Sequence, residues 1–176
     1  METNDIVIVE SRWTNPNVSK FLMFATYAVG GLGYFVGFLK MNSDGAEAAV
    51  APVALLSVGF VGIISMFRHS VFHRSDAVRM GWDLGGRNNF QLEVGFINFA
   101  VGLPAIAAVM FDWGVAVEAA FVLAYALYFI QVVMLVIIDR EDGKINVTRI
   151  LLFLMQTGLL FYFALSALAA ANIRPF

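Results

Sequence analysis

Five long stretches of the chain carry almost no charge, and the polar residues gather in the segments between them. The stretches are residues 20–40, 48–67, 90–111, 115–138 and 149–172. Crossing the hydrocarbon core of a bilayer as an α-helix takes roughly 20 mainly apolar residues. Continuously apolar segments of this length must be helical because lipid cannot form hydrogen bonds with backbone N–H and C=O groups. A β-barrel would instead show shorter segments in which apolar and polar residues alternate. The pattern predicts an all-α polytopic integral membrane protein with five transmembrane helices.

The composition supports the same class of protein. Of the 176 residues, 60% are hydrophobic and 14% are charged, whereas soluble domains have about a quarter of their residues charged. The net charge of −2 and the scattered basic residues do not indicate nucleic-acid binding, and the lack of cysteine excludes disulfides and thiolate metal sites. We expect one membrane domain over residues 1–176 with the lipid bilayer as its surroundings.

Lys and Arg are concentrated in alternate connecting segments. Five spans place the N-terminal tail and the loops 68–89 and 139–148 on one side of the membrane. That side carries nine of the eleven basic residues, namely Arg12, Lys20, Arg68, Arg74, Arg79, Arg87, Arg140, Lys144 and Arg149. Loops rich in Lys and Arg stay in the cytoplasm, so we expect the N-terminus inside and the C-terminus outside. A four-span alternative, in which the first segment lies on the membrane surface, would require an amphipathic face that this segment lacks.

A stripe of small and polar residues follows one face of the third predicted helix. Gln91, Gly95, Asn98 and Gly102 are spaced by four, three and four residues, which places them on the same side of a helix. Small and polar residues let helices approach closely and form hydrogen bonds in a membrane. The stripe predicts a helix-packing seam or, alternatively, one wall of a solute path. Asn88 or Asn89 can cap the start of this helix.

Three carboxamide side chains are predicted to lie at a similar depth in the membrane. Asn98, Gln131 and Gln156 each lie about 10–12 Å from the inner end of their helix. A carboxamide that faced lipid would lose its hydrogen bonds at a cost of several kcal/mol, roughly. We therefore expect all three to face inward and to bond to each other, to backbone or to water. They would form either a static cluster or a hydrated cavity open to the inside.

The two histidines of the chain lie near the end of the second span. If that helix continued inward, His69, His73 and Asp76 would share one face. A His pair separated by one helical turn can bind a metal such as zinc when another ligand completes the shell. The flanking Arg68 and Arg74 disfavour a bound cation. His69 and His73 are therefore candidate metal ligands, and no cofactor is indicated.

Glu93 is an ionisable residue inside a predicted span. Such a group is costly in a membrane and is a functional candidate by default. It lies about one turn from the start of its helix, so it could handle protons or cations, meet water, or pair with Arg68 or Arg87.

The centre of the chain resembles a family of small uncharacterised bacterial membrane proteins. In that family a Gly-Trp loop leads into a helix that starts Phe-Gln-x-Glu. The residues of this chain that carry the resemblance are His69, Met80-Gly81-Trp82 and the run from Phe90 to Gly102. The similarity covers residues 67–103, with Asn89 where the family pattern has Pro. It implies a bacterial cytoplasmic membrane and a site near Glu93, and it implies no activity, substrate or cofactor.

Three kinds of function fit these observations. The first is an oligomeric transporter or channel for small solutes, ions or protons, with Glu93 and the carboxamides along its path. The second is a structural or accessory subunit of a larger membrane complex. The third is a metal-binding enzyme or redox protein that uses His69 and His73. The sequence favours a non-catalytic role because it shows few pairs of nucleophile and base.

Overall fold

The computed structural model describes residues 13–81, 83, 85–138 and 147–174, and every regular element in these ranges is a helix. The helices are α1 (Pro16–Asp44), α2 (Ala46–Val71), α3 (His73–Met80), α4 (Asn89–Met110), α5 (Val115–Ile138) and α6 (Val147–Ala170). All except α3 are long and apolar enough to cross a membrane. The prediction of an all-helical chain with five such helices is confirmed, and the first segment is one of them. Trp82 and the loop residues 139–146 lie outside the described residues.

Local sequence signals explain where the helices begin and turn. The Asn15 side chain accepts a hydrogen bond of 2.9 Å from the backbone N–H of Asn17, and Pro16 occupies the first helical position, where its missing N–H has no cost. Asn88 caps α4 in the same way. Gly45 alone separates α1 from α2 and has a φ of 90°, which favours glycine. The two helices therefore run antiparallel.

The central helix of the bundle is α2. Half of the residues in its most apolar part are buried, against 28% in α1, α5 and α6. Two stretches of α2 are wound as π-helix, Val53–Phe60 and Phe67–Val71. The first begins directly after Pro52, which lacks the N–H that an α-helical bond needs. Such wide turns are rare and occur often at functional sites.

Glycines allow α2 to touch its neighbours almost backbone to backbone. A Cβ atom added to Gly62 would lie 2.6 Å from the Asn98 carbonyl oxygen of α4, and one added to Gly37 of α1 would lie 2.8 Å from a Val53 methyl group. The four residues of the predicted stripe on α4 are all buried. Close approach of this kind is how helices associate in lipid, so the stripe forms a packing seam against α2 and α3.

The two ends of the bundle differ in character. We call the end where α1 begins and α2 ends the α3 end. In the opposite half, apolar side chains such as Val50, Val53, Val122, Leu160 and Phe163 are completely buried. The Asp76 cluster and the cavities described below lie toward the α3 end, whereas Glu118, near the start of α5, is a buried charged residue in the opposite half.

Candidate functional site

The chain breaks helical geometry between α2 and α3 and folds α3 back onto the bundle. The N–H of Phe72 bonds to the Phe67 carbonyl at 2.8 Å, which closes the last π-turn, and Phe72 itself leaves helical geometry with ψ of 29°. The condition under which His69, His73 and Asp76 would share one face, a second helix that continues inward, is not met because this break reorients the chain. As a result Asp76 of α3 is only 1% exposed.

Asp76 collects hydrogen bonds from four helices. Its Oδ1 accepts from the hydroxyl of Ser19 and from Nη2 and Nε of Arg79, the latter two at 2.8 and 3.2 Å. Its Oδ2 accepts from Nε2 of Gln91 at 3.0 Å and lies 3.1 Å from Nδ1 of His69. We call these residues together with Arg68 the Asp76 cluster: Ser19, Arg68, His69, Asp76, Arg79 and Gln91. The cluster joins the start of α1, the end of α2, α3 and the start of α4.

The hydrogen bonds of His69 define its proton arrangement. Nη2 of Arg68 lies 2.6 Å from Nε2 of His69. Because a guanidinium group can only donate, Nε2 must accept, so we assign the proton to Nδ1, which donates to Asp76. His69 is thus neutral, and the cluster holds the two positive charges of Arg68 and Arg79 against the single negative charge of Asp76.

Asp76 is ionised in this setting. Burial alone would raise the pKa of Asp76, but the hydrogen bond from His69, the charge of Arg68 and the hydrogen bond from Ser19 outweigh it. The pKa of Asp76 therefore lies well below its ordinary value. A buried carboxylate with this many donors is a fixed negative centre that orients the groups around it.

Two cavities open beside the cluster. The first, of about 230 Å³, lies among α2, α4, α5 and α6 and is lined on its polar side by Asn98 and Tyr125. The second, of about 280 Å³, lies among α1, α2, α5 and α6 and extends to Tyr34. Five residues line both cavities: Ser65, Arg68, Phe129, Arg149 and Phe153.

Arg68 connects the cluster to the cavities. Its side chain is 16% exposed, and its Nε lies 3.8 Å from Oδ1 of Asp76 and has no hydrogen-bond partner among the described residues. Arg79 makes the closer contact with the same carboxylate oxygen. The charged side chain of Arg68 therefore lies at the junction of the two cavities, while its Nε is buried 3.8 Å from Asp76.

Asn98 forms part of the wall of the first cavity. The Tyr125 hydroxyl donates to Oδ1 of Asn98 at 2.7 Å, and Nδ2 of Asn98 donates to the Val94 carbonyl at 2.7 Å. Both side chains are almost fully buried. Their polar atoms are satisfied, so this pair is a rigid part of the wall.

The other predicted carboxamides do not join Asn98. Gln131 is exposed, so the expectation that it faces inward is wrong. The buried face of α5 contains Phe129 and Val133, and Gln131, midway between them, points to the other side of the helix. Gln156 is half-buried and lines the second cavity.

Glu93 lies apart from the cavities. It is exposed and pairs with neither Arg68 nor Arg87 among the described residues. Gln91 is buried in the cluster, and residues two apart on a helix point in different directions. Of the two residues, Gln91 belongs to the Asp76 cluster and Glu93 does not.

The two histidines do not assemble a metal-ligand set. His69 is engaged by Arg68 and Asp76, while Nδ1 of His73 lies 3.0 Å from the Ser70 carbonyl. Within the described residues no group of three His, Cys, Asp or Glu is placed to hold a metal ion.

Sequence reasoning missed several members of the site. Arg79 could have been found, because it follows Asp76 by three residues on the same helix, a spacing at which opposite charges meet. Ser19 and Tyr34 gave no local signal, since their roles depend on contacts with distant parts of the chain. Arg149 was recognised only as a charge at the end of a span.

No curated protein and no solved structure matches the chain. The model of one protein family, DUF6790, matches residues 17–169. This range runs from the first turn of α1 almost to the end of α6 and includes the whole Asp76 cluster and both cavities. It is consistent with the resemblance of the central stretch to an uncharacterised family. The chain therefore belongs to the family of unknown function DUF6790.

Proposed function

We propose that this integral membrane protein binds a small organic anion in the cavities around Arg68 and carries it across the membrane. The observation behind the proposal is the position of Arg68. It lines both cavities, and the cluster that holds it has one more positive than negative charge. An anion in either cavity would balance this charge.

Physical chemistry favours an anion over other ligands. A charge removed from water without a full set of partners is strongly destabilising. The planar guanidinium of Arg suits a carboxylate or a phosphate, to which it can donate two parallel hydrogen bonds. Asp76 fixes the orientation of His69, and His69 in turn holds one end of Arg68. The site is therefore organised before any ligand arrives.

The cavity walls indicate an organic ligand with an apolar part. Tyr128, Phe129 and Phe153 line the first cavity, and Phe129 and Phe153 also line the second. Mostly apolar walls with a few converging polar groups are typical of small-molecule sites. A hydrated inorganic ion would gain little from these aromatic surfaces.

A carrier fits the arrangement better than an open channel. The half of the bundle opposite α3 is closed by fully buried side chains, including Val50 and Phe163. Passage would require helices to move, and the π-turn that contains Arg68 is a place where α2 can change its winding.

From the distribution of Lys and Arg, we place the α3 end in the cytosol. From the resemblance, we assign a bacterial cytoplasmic membrane. The site lies within one chain, so binding does not require an oligomer.

The test measures ligand-induced thermal stabilisation of the purified protein in nanodiscs of zwitterionic lipid. The probes are benzoate, hexanoate and phenyl phosphate, with benzylamine as the cationic comparison. The anions should raise Tm in proportion to the logarithm of their concentration, and Arg68→Gln should abolish the effect. Arg68→Lys keeps the positive charge but loses the two parallel N–H donors of the guanidinium group, so this variant should bind the anions more weakly. Arg74→Gln is the matched control, because Arg74 pairs with Asp83 and lines neither cavity.

Equal stabilisation of the wild type and Arg68→Gln, or preferential stabilisation by benzylamine, would overturn anion binding at this site. Transport is tested separately by uptake of the bound anion into proteoliposomes. Binding without uptake would refute the carrier role and leave a binding protein or an accessory subunit.

A further inference from the structure

The second cavity is lined at one end by Tyr34, whose buried hydroxyl group has no hydrogen-bond partner among the described residues. Tyr34 of α1 is 8% exposed, and its hydroxyl oxygen forms no hydrogen bond with any described residue. The ring is held in place by stacking on Phe163, with the ring centroids 6.2 Å apart. Buried polar groups in native proteins nearly always have partners, and an exception calls for an explanation. The neighbouring cavity offers one, because Tyr34 lines it.

Arg68 and Tyr34 lie at opposite ends of this cavity. The antiparallel helices α1 and α2 are aligned by Gly30, whose carbonyl accepts from Ser57 and whose Cα faces Val61. Arg68 lies seven residues from Val61 toward the α3 end, and Tyr34 lies four residues from Gly30 in the other direction. At the helical rise per residue, these offsets place the two backbones about 16 Å apart along the bundle. The cavity is thus elongated, and Arg68 and Tyr34 are separated along it.

The cavity between its two ends has mainly apolar walls and unused room. Phe129, Phe153 and Leu159 line it, together with the polar residues Thr26, Ser65 and Gln156. Gly31 also lines it, and a Cβ atom added there would meet no other atom within 4 Å. The walls therefore suit a flexible apolar chain and provide no second charge between the two ends.

Building on the proposed function, we infer that the ligand of the second cavity is an elongated amphiphilic anion with a hydrogen-bonding group at its far end. Its carboxylate or phosphate lies against Arg68, its apolar chain passes Gly31, and its distal hydroxyl or carbonyl group bonds to the Tyr34 hydroxyl. The Tyr34 oxygen can both donate and accept, so either kind of distal group satisfies it.

The test compares decanoate with ω-hydroxydecanoate, which differ only in the distal hydroxyl. Affinities are measured in zwitterionic nanodiscs, with free concentrations corrected for partition into empty nanodiscs. The wild type should bind ω-hydroxydecanoate about five- to tenfold more tightly, the ordinary net effect of one hydrogen bond. Tyr34→Phe keeps the ring and should remove this preference while leaving decanoate binding unchanged. Equal affinity for the two acids in the wild type, or a preference that survives in Tyr34→Phe, would overturn the inference.

A steric block tests the path between the two ends. Gly31→Leu should weaken binding of both long acids at least tenfold without lowering Tm, because the added side chain enters open space. Gly158→Leu is the matched control, since a Cβ at Gly158 also meets open space but Gly158 lines neither cavity. Unchanged binding in Gly31→Leu would place the ligand elsewhere.

Two further comparisons separate the possible failures. Nanodiscs that contain phosphatidylglycerol test a lipid headgroup as the source of the anion. If the acids bind the wild type more weakly in these nanodiscs than in nanodiscs of zwitterionic lipid alone, the anion is a lipid, and if their affinity is unchanged, the ligand is a free amphiphile. If benzoate or hexanoate binds through Arg68 while neither long acid binds, the proposed function stands and this inference fails. If no anion binds through Arg68, both fail.

Discussion

Oδ2 of Asp76 lies 3.1 Å from Nδ1 of His69, across the break that separates α2 from α3. The two residues are seven positions apart, so one continuous helix would stack them two turns apart. The break at Phe72 brings them into contact instead. This contact fixes the imidazole so that its other nitrogen accepts from Arg68, and it links a buried carboxylate to the arginine at the cavity junction.

Replacing Asp76 by Asn should destabilise the folded protein strongly. The substitution keeps the side-chain shape but leaves Arg68 and Arg79 as buried charges without a counter-ion, a change that typically costs about 3–5 kcal/mol. Thermal and denaturant unfolding in detergent micelles measure the effect. Asp83→Asn is the control, because Asp83 forms its ion pair with Arg74 in the loop outside the cluster. If Asp76→Asn and Asp83→Asn lowered the free energy of unfolding by similar amounts, the central role of Asp76 would be contradicted.

The contribution of Asp76 should depend on pH in a defined direction. Its folded-state pKa is below the ordinary value, so its stabilising effect is fully present above the unfolded pKa of about 4 and is lost as pH falls toward the folded pKa. The difference in unfolding free energy between wild type and Asp76→Asn should stay constant from pH 7 to about 5 and narrow only below about 4. If the difference in unfolding free energy already became smaller near neutral pH, the pKa of Asp76 in the folded protein would be raised rather than lowered.

A methyl group at Gly62 should separate α2 from α4. Its Cβ would lie 2.6 Å from the Asn98 carbonyl and 2.9 Å from Cα of Gly102, and both of these are backbone atoms that cannot move by rotation. Gly62→Ala should therefore lower stability by about 1–3 kcal/mol, the usual range for overpacking. Gly31→Ala, where the added atom meets open space, is the matched control and should leave Tm nearly unchanged. A neutral Gly62→Ala would mean that the two helices are not in close contact.

Removal of the Tyr125 hydroxyl should loosen the wall of the first cavity. Tyr125→Phe leaves Oδ1 of Asn98 buried without its donor, at a cost of about 1–3 kcal/mol. The ring packing with Phe129 is retained, so the loss reports the hydrogen bond. The corresponding change Tyr162→Phe on an exposed ring should have little effect on unfolding. Equal effects would indicate that the Tyr125 bond contributes nothing specific.

The sequence alone determined the secondary structure of this protein because the membrane imposes it locally. Each apolar stretch must satisfy its own backbone as a helix, whatever its neighbours do. The five helices, the cap at Asn88 and the buried stripe from Gln91 to Gly102 follow from residue type and spacing. They needed no knowledge of which helices touch.

Only the tertiary structure decided how the polar side chains are used. Glu93 and Gln131 face outward because the rotation of each helix is set by packing against its neighbours, which hydrophobicity does not reveal in lipid. Ser19 meets Asp76 across 57 positions of sequence, and Arg68 reaches the cavities because α2 unwinds after residue 66. Such contacts between distant segments are fixed by the assembled bundle, so the site around Arg68 appears only once the helices are in place.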